Sequence, residues 1–169
     1  MRFNTLKDRM EYFRGLTDYK LMPKSYVLVM CDGRSFSKLI KNRFKKPFDD
    51  DFIDMMNETA KYVCSKVEGA KFAYVQSDEI SLVLTDFEQP NTESFFGYRL
   101  TKLLSIIASL ATSKFNQLMT EYRVSKIVGC SASAGDTVQM CVDAVNGPLY
   151  EFDCKCWNVP TYNDVFAWF

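Results

Sequence analysis

The sequence predicts an α+β fold in which helices pack on one face of a mostly antiparallel sheet. A continuous apolar run that ends in Asp-Gly, "SYVLVMCDG" (25–33), is typical of a buried central strand. Two shorter apolar segments, 71–76 and 80–86, flank a polar turn and predict a β-hairpin. The segment 93–122 has helical spacing over a length sufficient to cover a sheet. Strands and helices therefore do not alternate regularly, which favours α+β over α/β.

The other helices of the first half follow from apolar spacing and from residues suited to helix ends. Residues 5–15 have weak helical spacing, and 34–44 predicts a short helix before Pro47. The acids 49–51 predict the start of the next helix, because their charge suits the positive end of the helix dipole, and Gly69 ends it. Its apolar stripe consists of Phe52, Met56, Thr59, Val63 and Val67. The expected core face of the long helix consists of Phe96, Leu100, Leu103, Leu104, Ile107, Leu110, Phe115 and Leu118.

Two further strands are expected near the C-terminus, at 125–135 and at 149–159, whereas 138–148 has no clear pattern. The last segment, "TYNDVFAWF" (161–169), begins like a helix with Asn163 as N-cap. It ends on large apolar residues, which a chain seldom leaves exposed. Either this helix docks on the body or on another chain, or the sequence is a fragment.

The composition limits the class of protein. With 47% hydrophobic and 25% charged residues, the chain is of ordinary globular composition. No apolar stretch is long enough to cross a bilayer and the N-terminus lacks the apolar block of a signal peptide, so we expect no membrane partner and a cytoplasmic location. There is no histidine and no C-x-x-C pair, which argues against zinc, and the six cysteines are expected to be reduced thiols.

The charge balance does not indicate a nucleic-acid binder. The net charge is zero, whereas proteins that bind nucleic acid on their own are usually basic. The segment 38–46, "KLIKNRFKK", is a local exception with five basic residues in nine. Composition alone favours a solvated helix face and loop for it.

Four carboxylates are candidates for a functional site. Asp32 ends the central strand, Asp78 and Glu79 lie at the hairpin turn, and Asp153 is on a later strand. If the hairpin lies beside the central strand, Asp32 and Asp78 project from the same end of the sheet. Such acids repel one another. A hard divalent cation that is bound by their oxygens and by the Gly33 carbonyl would relieve the repulsion. Two carboxylates that bridge two Mg²⁺ ions are an arrangement that serves phosphoryl transfer. Alternatively, they are turn acids that accept backbone hydrogen bonds.

Several short motifs resemble those of one known family. "DGRSFSK" (32–38), "KPFDD" (46–50) and "YVQSDEISLVL" (74–84) resemble the motifs D-G-R-x-F, K-P-x-D and Q-S-D-E-Y/I-S of the tRNA-His guanylyltransferase family and its 3′–5′ polymerase relatives, in the same order. "FDCKCWNVP" (152–160) is similar to the family's F-D-x-R strand and the proline that follows. The resemblance extends from about residue 18 to 169.

The resemblance implies a palm-like (ferredoxin-like) catalytic domain. The family activates a tRNA 5′-phosphate with ATP or GTP and then joins a guanylate, or a templated nucleotide, to that end. The family continues with a W-R-Q-x-D segment and a further helical region where this chain reaches Trp168. We therefore expect residues 1–169 to form a single palm-like domain without the family's C-terminal region. Family members are oligomeric, which implies a homo-oligomer.

The resemblance also implies roles for individual residues. Asp32, the Gly33 carbonyl and Asp78 would bind two Mg²⁺ ions, with Glu79 supporting the catalytic site from beside it. Lys46 would meet triphosphate oxygens. The implied nucleotide-binding residues are Asp32, Gly33, Arg34, Ser35, Phe36, Ser37, Lys46, Ser77 and Asp78.

Two other functions fit the same residues. One is a non-catalytic or incomplete palm-fold module for nucleotide binding or assembly. The other is a nucleotide cyclase-like enzyme, although the usual G-G-D-E-F signature of those sites has glycines that "QSDEI" (76–80) lacks.

Overall fold

The computed structural model describes residues 3–128 and 134–169. Its centre is one four-stranded, fully antiparallel sheet with the strand order β2-β3-β1-β4. The strands are β1 Tyr26–Gly33, β2 Ala70–Gln76, β3 Glu79–Leu84 and β4 Phe152–Val159. The predicted α+β class is confirmed, with the central strand and the hairpin where the sequence predicts them.

Six α-helices and a short 3₁₀ helix complete the described part of the chain. They are α1 Leu6–Gly15, α2 Phe36–Arg43, α3 Asp50–Lys66, the 3₁₀ helix Phe95–Tyr98, α4 Leu100–Val128, α5 Ala134–Val145 and α6 Tyr162–Trp168. The helices α3 and α4 pack against each other and against the sheet. None of the helices in the described ranges is both long and apolar enough to cross a membrane.

The main core lies between the sheet and the pair α3 and α4. Because side chains alternate between the faces of a strand, Val27, Val29 and Cys31 of β1 point towards these helices and are fully buried. The stripe predicted for α3 is confirmed: Phe52, Met56, Thr59, Val63 and Val67 are all buried.

The long helix differs from the prediction at both ends. It begins at Leu100 rather than at 93, because Phe96, Gly97 and Tyr98 have positive φ angles of 50°, 60° and 51°. Phe96 is therefore 48% exposed and does not belong to the core face. The helix continues past 122 to Val128. Its buried residues recur at every fourth position, at Leu103, Ile107, Ala111, Phe115, Met119 and Arg123.

The strand predicted at 125–135 is wrong where the structure describes it. Residues 125–128 lie in α4, and 134–135 lie in α5, which also contains most of the ambiguous stretch 138–148. Residues 129–133 of that prediction lie outside the described residues. The small residues of this stretch carry little hydrophobic periodicity, so the pattern could not distinguish helix from strand.

The last helix, α6, begins one residue after Thr161, not after the predicted cap Asn163. Thr161 Oγ1 accepts from the Asp164 N–H, and the Asp164 carboxylate accepts from the Thr161 N–H at 3.0 Å. This is a capping box, which satisfies two backbone donors at the helix start. A Thr three residues before Asp was the signal for the true start.

The helix α6 covers the face of the sheet opposite to α3 and α4. Val165 is 5% exposed and packs with Leu28 of β1 and Val83 of β3. Trp168 lies edge-on to Trp157 of β4 at a centroid distance of 4.9 Å. Of the fates expected for the apolar C-terminal segment, docking on the body is the one that the structure shows.

The packing of α6 predicts the effect of removing its buried side chain. Val165→Ala deletes two methyl groups from a buried site, so the free energy of unfolding in urea should fall by about 1–2 kcal/mol. Phe166→Ala on the same helix is the control, because Phe166 is 74% exposed and should have little effect. Equal losses for the two variants would contradict the observed orientation of α6.

The end of β1 requires a glycine for a packing reason. A Cβ atom on Gly33 would lie 2.6 Å from Cδ2 of Phe36, which is closer than real Cβ contacts. The Phe36 ring cannot move away easily, because it is 1% exposed and packs against Phe115 and Phe152 at centroid distances of 4.9 and 5.0 Å. The sequence had indicated only that a glycine leaves its own carbonyl open to an ion.

We therefore expect Gly33→Ala to lower the free energy of unfolding by about 1–3 kcal/mol, the usual cost of overpacking a core. Gly15→Ala is the matched control, since a Cβ there meets nothing within 4 Å. Urea unfolding of both variants measures the difference. A Gly33→Ala variant as stable as Gly15→Ala would show that the Phe36 ring can give way.

Candidate active site

Strand pairing brings three of the predicted carboxylates into one row. The register places Asp32 of β1 opposite Glu79 of β3 on one side and opposite Asp153 of β4 on the other. Directly paired residues share a face of the sheet, so these three side chains leave the same face. Asp78 lies at the same end, because its carbonyl accepts a hydrogen bond from the Gly33 N–H at 3.1 Å. Asp32 and Asp78 thus meet at one sheet edge, as expected.

The charge of Asp32 is disfavoured by its surroundings. Partial burial raises the pKa of the Asp32 carboxyl, and the negative charges of Asp78 and Asp153 raise it further. A hydrogen bond from the Gly33 N–H and the positive charge of Lys155 act in the opposite direction but are weaker. Extra positive charge at this point would stabilise the ionised form.

Glu79 is connected to α6 through two hydrogen bonds. Its Oε1 accepts from Ser81 Oγ at 3.3 Å, and Ser81 Oγ accepts from Trp168 Nε1 at 3.1 Å. Ser81 is the next residue on the same face of β3 and is buried. Glu79 is therefore held beside Asp32 rather than left as a mobile surface acid.

The hairpin turn is tighter than predicted. Gln76 pairs with Glu79, so the loop consists of Ser77 and Asp78 alone, and Glu79 is the first residue of β3. Ser77 has a φ of 56°, a left-handed conformation in which hairpin turns usually place glycine. This two-residue loop sets where Asp78 leaves the sheet.

The turn after β1 and the first residues of α2 together contain four residues of the implied nucleotide-binding set. Arg34 is tied to Glu151, with its N–H donating to the Glu151 carbonyl at 2.9 Å and its Nη1 to the carboxylate at 2.7 Å. Ser35 has a φ of 62°, and both Ser35 and Ser37 are exposed. Phe36 needs a correction, because the whole residue is 1% exposed and its ring is in the core, so it supports this segment from below rather than facing a nucleotide.

A cleft of about 500 Å³ adjoins the turn at Ser77. Its walls combine aromatic rings with polar residues of the connection between α2 and α3 and with the end of β2. The rings are those of Phe44, Phe48 and Phe52, and the polar residues include Lys45, Asp49, Asn57 and Gln76. Lys46 is exposed, and its neighbours Lys45 and Pro47 rather than Lys46 itself line the cleft.

Sequence reasoning singled out Lys46 and missed most of this wall. The signal was present in "FKKPFDDDF" (44–52), where aromatic residues are interleaved with charged ones. Asp49 has a second role, because its two carboxylate oxygens accept from the N–H groups of Lys45 and Phe52 at 2.9 and 3.2 Å. It thereby holds both the loop and the start of α3.

The oxygen donors at this end of the sheet are of the chemical type that magnesium binds. Asp32, Asp78 and the Gly33 carbonyl provide hard oxygen donors, which Mg²⁺ prefers. Within residues 3–128 and 134–169, no three acidic, cysteine or histidine side chains form a ready-made metal cluster. Mg²⁺ does not require one, because it is commonly held by one or two carboxylates together with water and substrate phosphates.

Comparisons with known proteins identify the family of the chain. Residues 7–160 match the family model described as tRNAHis guanylyltransferase. The tRNA(His) guanylyltransferase of Schizosaccharomyces pombe is 33% identical over 111 residues, which cover 64% of this chain and 41% of that protein. An uncharacterised protein of Acanthamoeba polyphaga mimivirus is 36% identical over 115 residues, which cover 64% of this chain and 39% of that protein.

Solved structures extend the match to nearly the whole chain. A bacterial tRNA(His) guanylyltransferase-like protein in complex with ATP superposes with a TM-score of 0.79 at 32% identity, over 98% of this chain and 63% of that one. The complex with GTP gives a TM-score of 0.78 at the same identity, over 96% of this chain and 62% of that one. This chain thus spans less than two thirds of the length of these relatives. By the extent of the family match, the chain belongs to the tRNA-His guanylyltransferase family.

Proposed function

We propose that this chain carries the catalytic site of a nucleotidyltransferase that adds guanylate, or a templated nucleotide, to a tRNA 5′ end after activation by ATP or GTP. The observation that carries the proposal is the meeting of Asp32 and Asp78 at one end of the sheet, beside the exposed residues Arg34 and Ser35. Family membership supports it, and so do the bacterial relatives, which were solved with ATP and with GTP.

In this proposal Asp32, Asp78 and the Gly33 carbonyl hold two Mg²⁺ ions. When bound, these ions supply orientation of the attacking oxygen and neutralisation of the triphosphate. Glu79, held through Ser81, adds negative charge beside them. Because the acids repel each other in the absence of cations, the site favours a ligand that brings positive charge with its phosphates.

The nucleotide base fits the cleft beside Ser77. Aromatic rings on its walls suit a planar heterocycle, and Lys45 and Asn57 offer polar contacts to its edge. Lys46, exposed beside the cleft, would then attract triphosphate oxygens. Arg34 and Ser35 form the turn that follows the proposed metal ligands, and Ser37 is in the first turn of α2.

A second candidate function is nucleotide binding without transfer. The observation that favours it is the cleft beside Ser77, whose aromatic walls suit a planar base without using the carboxylates. Equilibrium binding of GTP together with an absence of transfer to RNA would identify such a module. We also propose that residues 1–169 act as one domain, and that the protein is cytoplasmic and homo-oligomeric, as family resemblance and composition indicate.

The proposal predicts the effect of removing one carboxylate charge. Asp78→Asn should lower the rate of nucleotide addition at least about 100-fold, because a lost metal ligand weakens charge neutralisation worth several kcal/mol. The measurement is incorporation of labelled GTP into a 5′-triphosphorylated or monophosphorylated tRNA, with circular dichroism to check folding. Chelation of Mg²⁺ with EDTA should abolish incorporation as well.

Glu68→Gln is the matched control, since Glu68 is exposed just before β2, at the end of the sheet away from the turn. It should keep full activity. Full activity of Asp78→Asn would refute the assignment of the metal site. If the unsubstituted protein binds GTP but adds no nucleotide, the binding module is favoured instead.

The raised pKa of Asp32 predicts a change of stability with pH. A carboxyl whose pKa is higher in the folded than in the unfolded state stabilises the fold below its ordinary pKa of 3.8, and this contribution is lost as the pH rises through the folded value. Asp32→Asn removes the effect. The measurement is the melting temperature of both proteins in EDTA. The melting temperature of Asp32→Asn minus that of the unsubstituted protein should therefore increase from pH 3 to pH 7, although the variant loses activity. A constant difference across this range would contradict the repulsion inferred for the acid row.

A further inference from the structure

Two adjoining clefts form one continuous groove along α2. A cleft of about 480 Å³ begins at Arg34 and Ser35, directly after the end of β1. A second cleft of about 600 Å³ lies between α2, α4 and α5. Both are lined by Asn42, Arg43 and Pro148, so they are parts of a single channel. This channel, called the α2 groove here, leads from the acid end of the sheet to the far end of α4.

The α2 groove has an excess of positive charge in a chain whose net charge is zero. Its lining contains five cations, Arg34, Lys38, Arg43, Arg123 and Lys126, and two carboxylates, Asp143 and Glu151. Glu151 pairs with Arg34 at 2.7 Å, and Lys126 pairs with Asp51 at 2.8 Å. The side chains of Lys38 and Arg43 make no hydrogen bond or ion pair with the described residues. Composition alone had favoured a solvated surface for this basic segment.

Arg123 is the most informative of these cations because it is buried without a counter-ion. Its exposed fraction is 8%, and no carboxylate of the described residues lies within ion-pair distance of it. Nη1 and Nη2 donate to the carbonyls of Ala144 and Pro148 at 3.4 and 2.5 Å, and Nε has no partner in the described structure. The Tyr150 ring lies 5.5 Å from Cζ.

A buried charge without a counter-ion is costly even when carbonyls accept its hydrogen bonds, and an anion placed in the groove would reduce that cost. Guanidinium groups present several N–H donors in a plane, which match phosphate oxygens better than a lysine does. Gly147 covers the guanidinium closely, with the position of a Cβ only 2.8 Å from Cζ, so a side chain there would displace Arg123. These features indicate a phosphate site rather than a general basic surface.

We propose that the α2 groove binds the sugar-phosphate backbone of the RNA strand whose 5′ end reaches the carboxylates. Arg123 contacts one phosphate, and Lys38 and Arg43 contact others nearer the acid row. A strand rather than a free anion is favoured because cations recur along the length of the groove and because one end lies beside Asp32. The choice of RNA rests on the proposed function, whereas the charge and burial of the groove do not.

The test is RNA binding without catalysis, in EDTA and without nucleotide. Fluorescence anisotropy measures the affinity of the full chain for a labelled 5′-phosphorylated single-stranded RNA at several salt concentrations. Loss of two phosphate contacts in the double variant Lys38→Gln, Arg43→Gln should make the slope of log K against log salt less negative by about 1.4. Both side chains are exposed, so the fold should tolerate the changes.

Two controls separate this proposal from the proposed function. Lys102→Gln changes an exposed lysine at the other end of α4 and should leave affinity and slope unchanged. Asp78→Asn should bind RNA at least as tightly as the unsubstituted protein, because it removes a negative charge where the 5′-phosphate arrives, even though it should not add nucleotide. The proposed RNA site would be refuted by an unchanged salt slope in the double variant, or by an equal loss of RNA affinity in Lys102→Gln. Either result would refute it whatever the activity assay shows.

A competition arm distinguishes a strand from a free anion. Affinity should increase from a two-nucleotide to an eight-nucleotide RNA, and millimolar inorganic phosphate or tripolyphosphate should displace the longer RNA poorly. Arg123→Met, which keeps an apolar stem in the buried site, should weaken RNA binding about as much as the surface variant. If affinity does not depend on RNA length and tripolyphosphate readily displaces the RNA, the proposal of strand binding is refuted. The groove would then be a site for small anions only.

Discussion

The site depends on the position of β1 between two antiparallel partners. Because Asp32 is paired with Glu79 on one side and with Asp153 on the other, its side chain cannot avoid either acid without breaking the sheet. The Gly33 hydrogen bond to Asp78 then fixes the hairpin turn against the same strand end. The sheet thus holds together charges that would separate in a flexible chain, and the apolar core between the sheet and the helices α3 and α4 opposes their repulsion.

The two faces of the sheet have different tasks. One face carries the core, in which α3 and α4 cover Val27, Val29 and Cys31. The other carries the acid row at one end and is covered by α6 over its middle, where Val165 packs on Leu28. Through Trp168 and Ser81 the covering helix is linked to Glu79, so the packing of α6 and the position of one acid of the candidate site are parts of the same contact network.

The strands and helices that the sequence predicted correctly are those that depend on local residue patterns. Alternation and apolar runs were sufficient for β1, the hairpin and α3, and the ordered motifs were sufficient to bring Asp32 and Asp78 to the same end of the sheet. The start of α4 was missed because left-handed residues at Phe96 and Tyr98 interrupt an otherwise helical pattern. The stretch after α4 was mistaken for a strand because its small residues lack periodicity. The clefts could not be predicted, since they join segments such as 44–52 and 75–77 that only the tertiary fold brings together.

The contact between Gly33 and the Phe36 ring links the interior to the chemistry of the rim. The ring is wedged among Phe115, Tyr150 and Phe152, and it presses on the backbone that supplies a proposed metal ligand. A substitution in this aromatic layer, which itself carries no carboxylate, is therefore expected to shift the carbonyl of Gly33. Substitutions in these aromatic residues would adjust the geometry of the proposed ligands at this end of the sheet. Residues of the core and of the candidate site are therefore expected to change together among related chains.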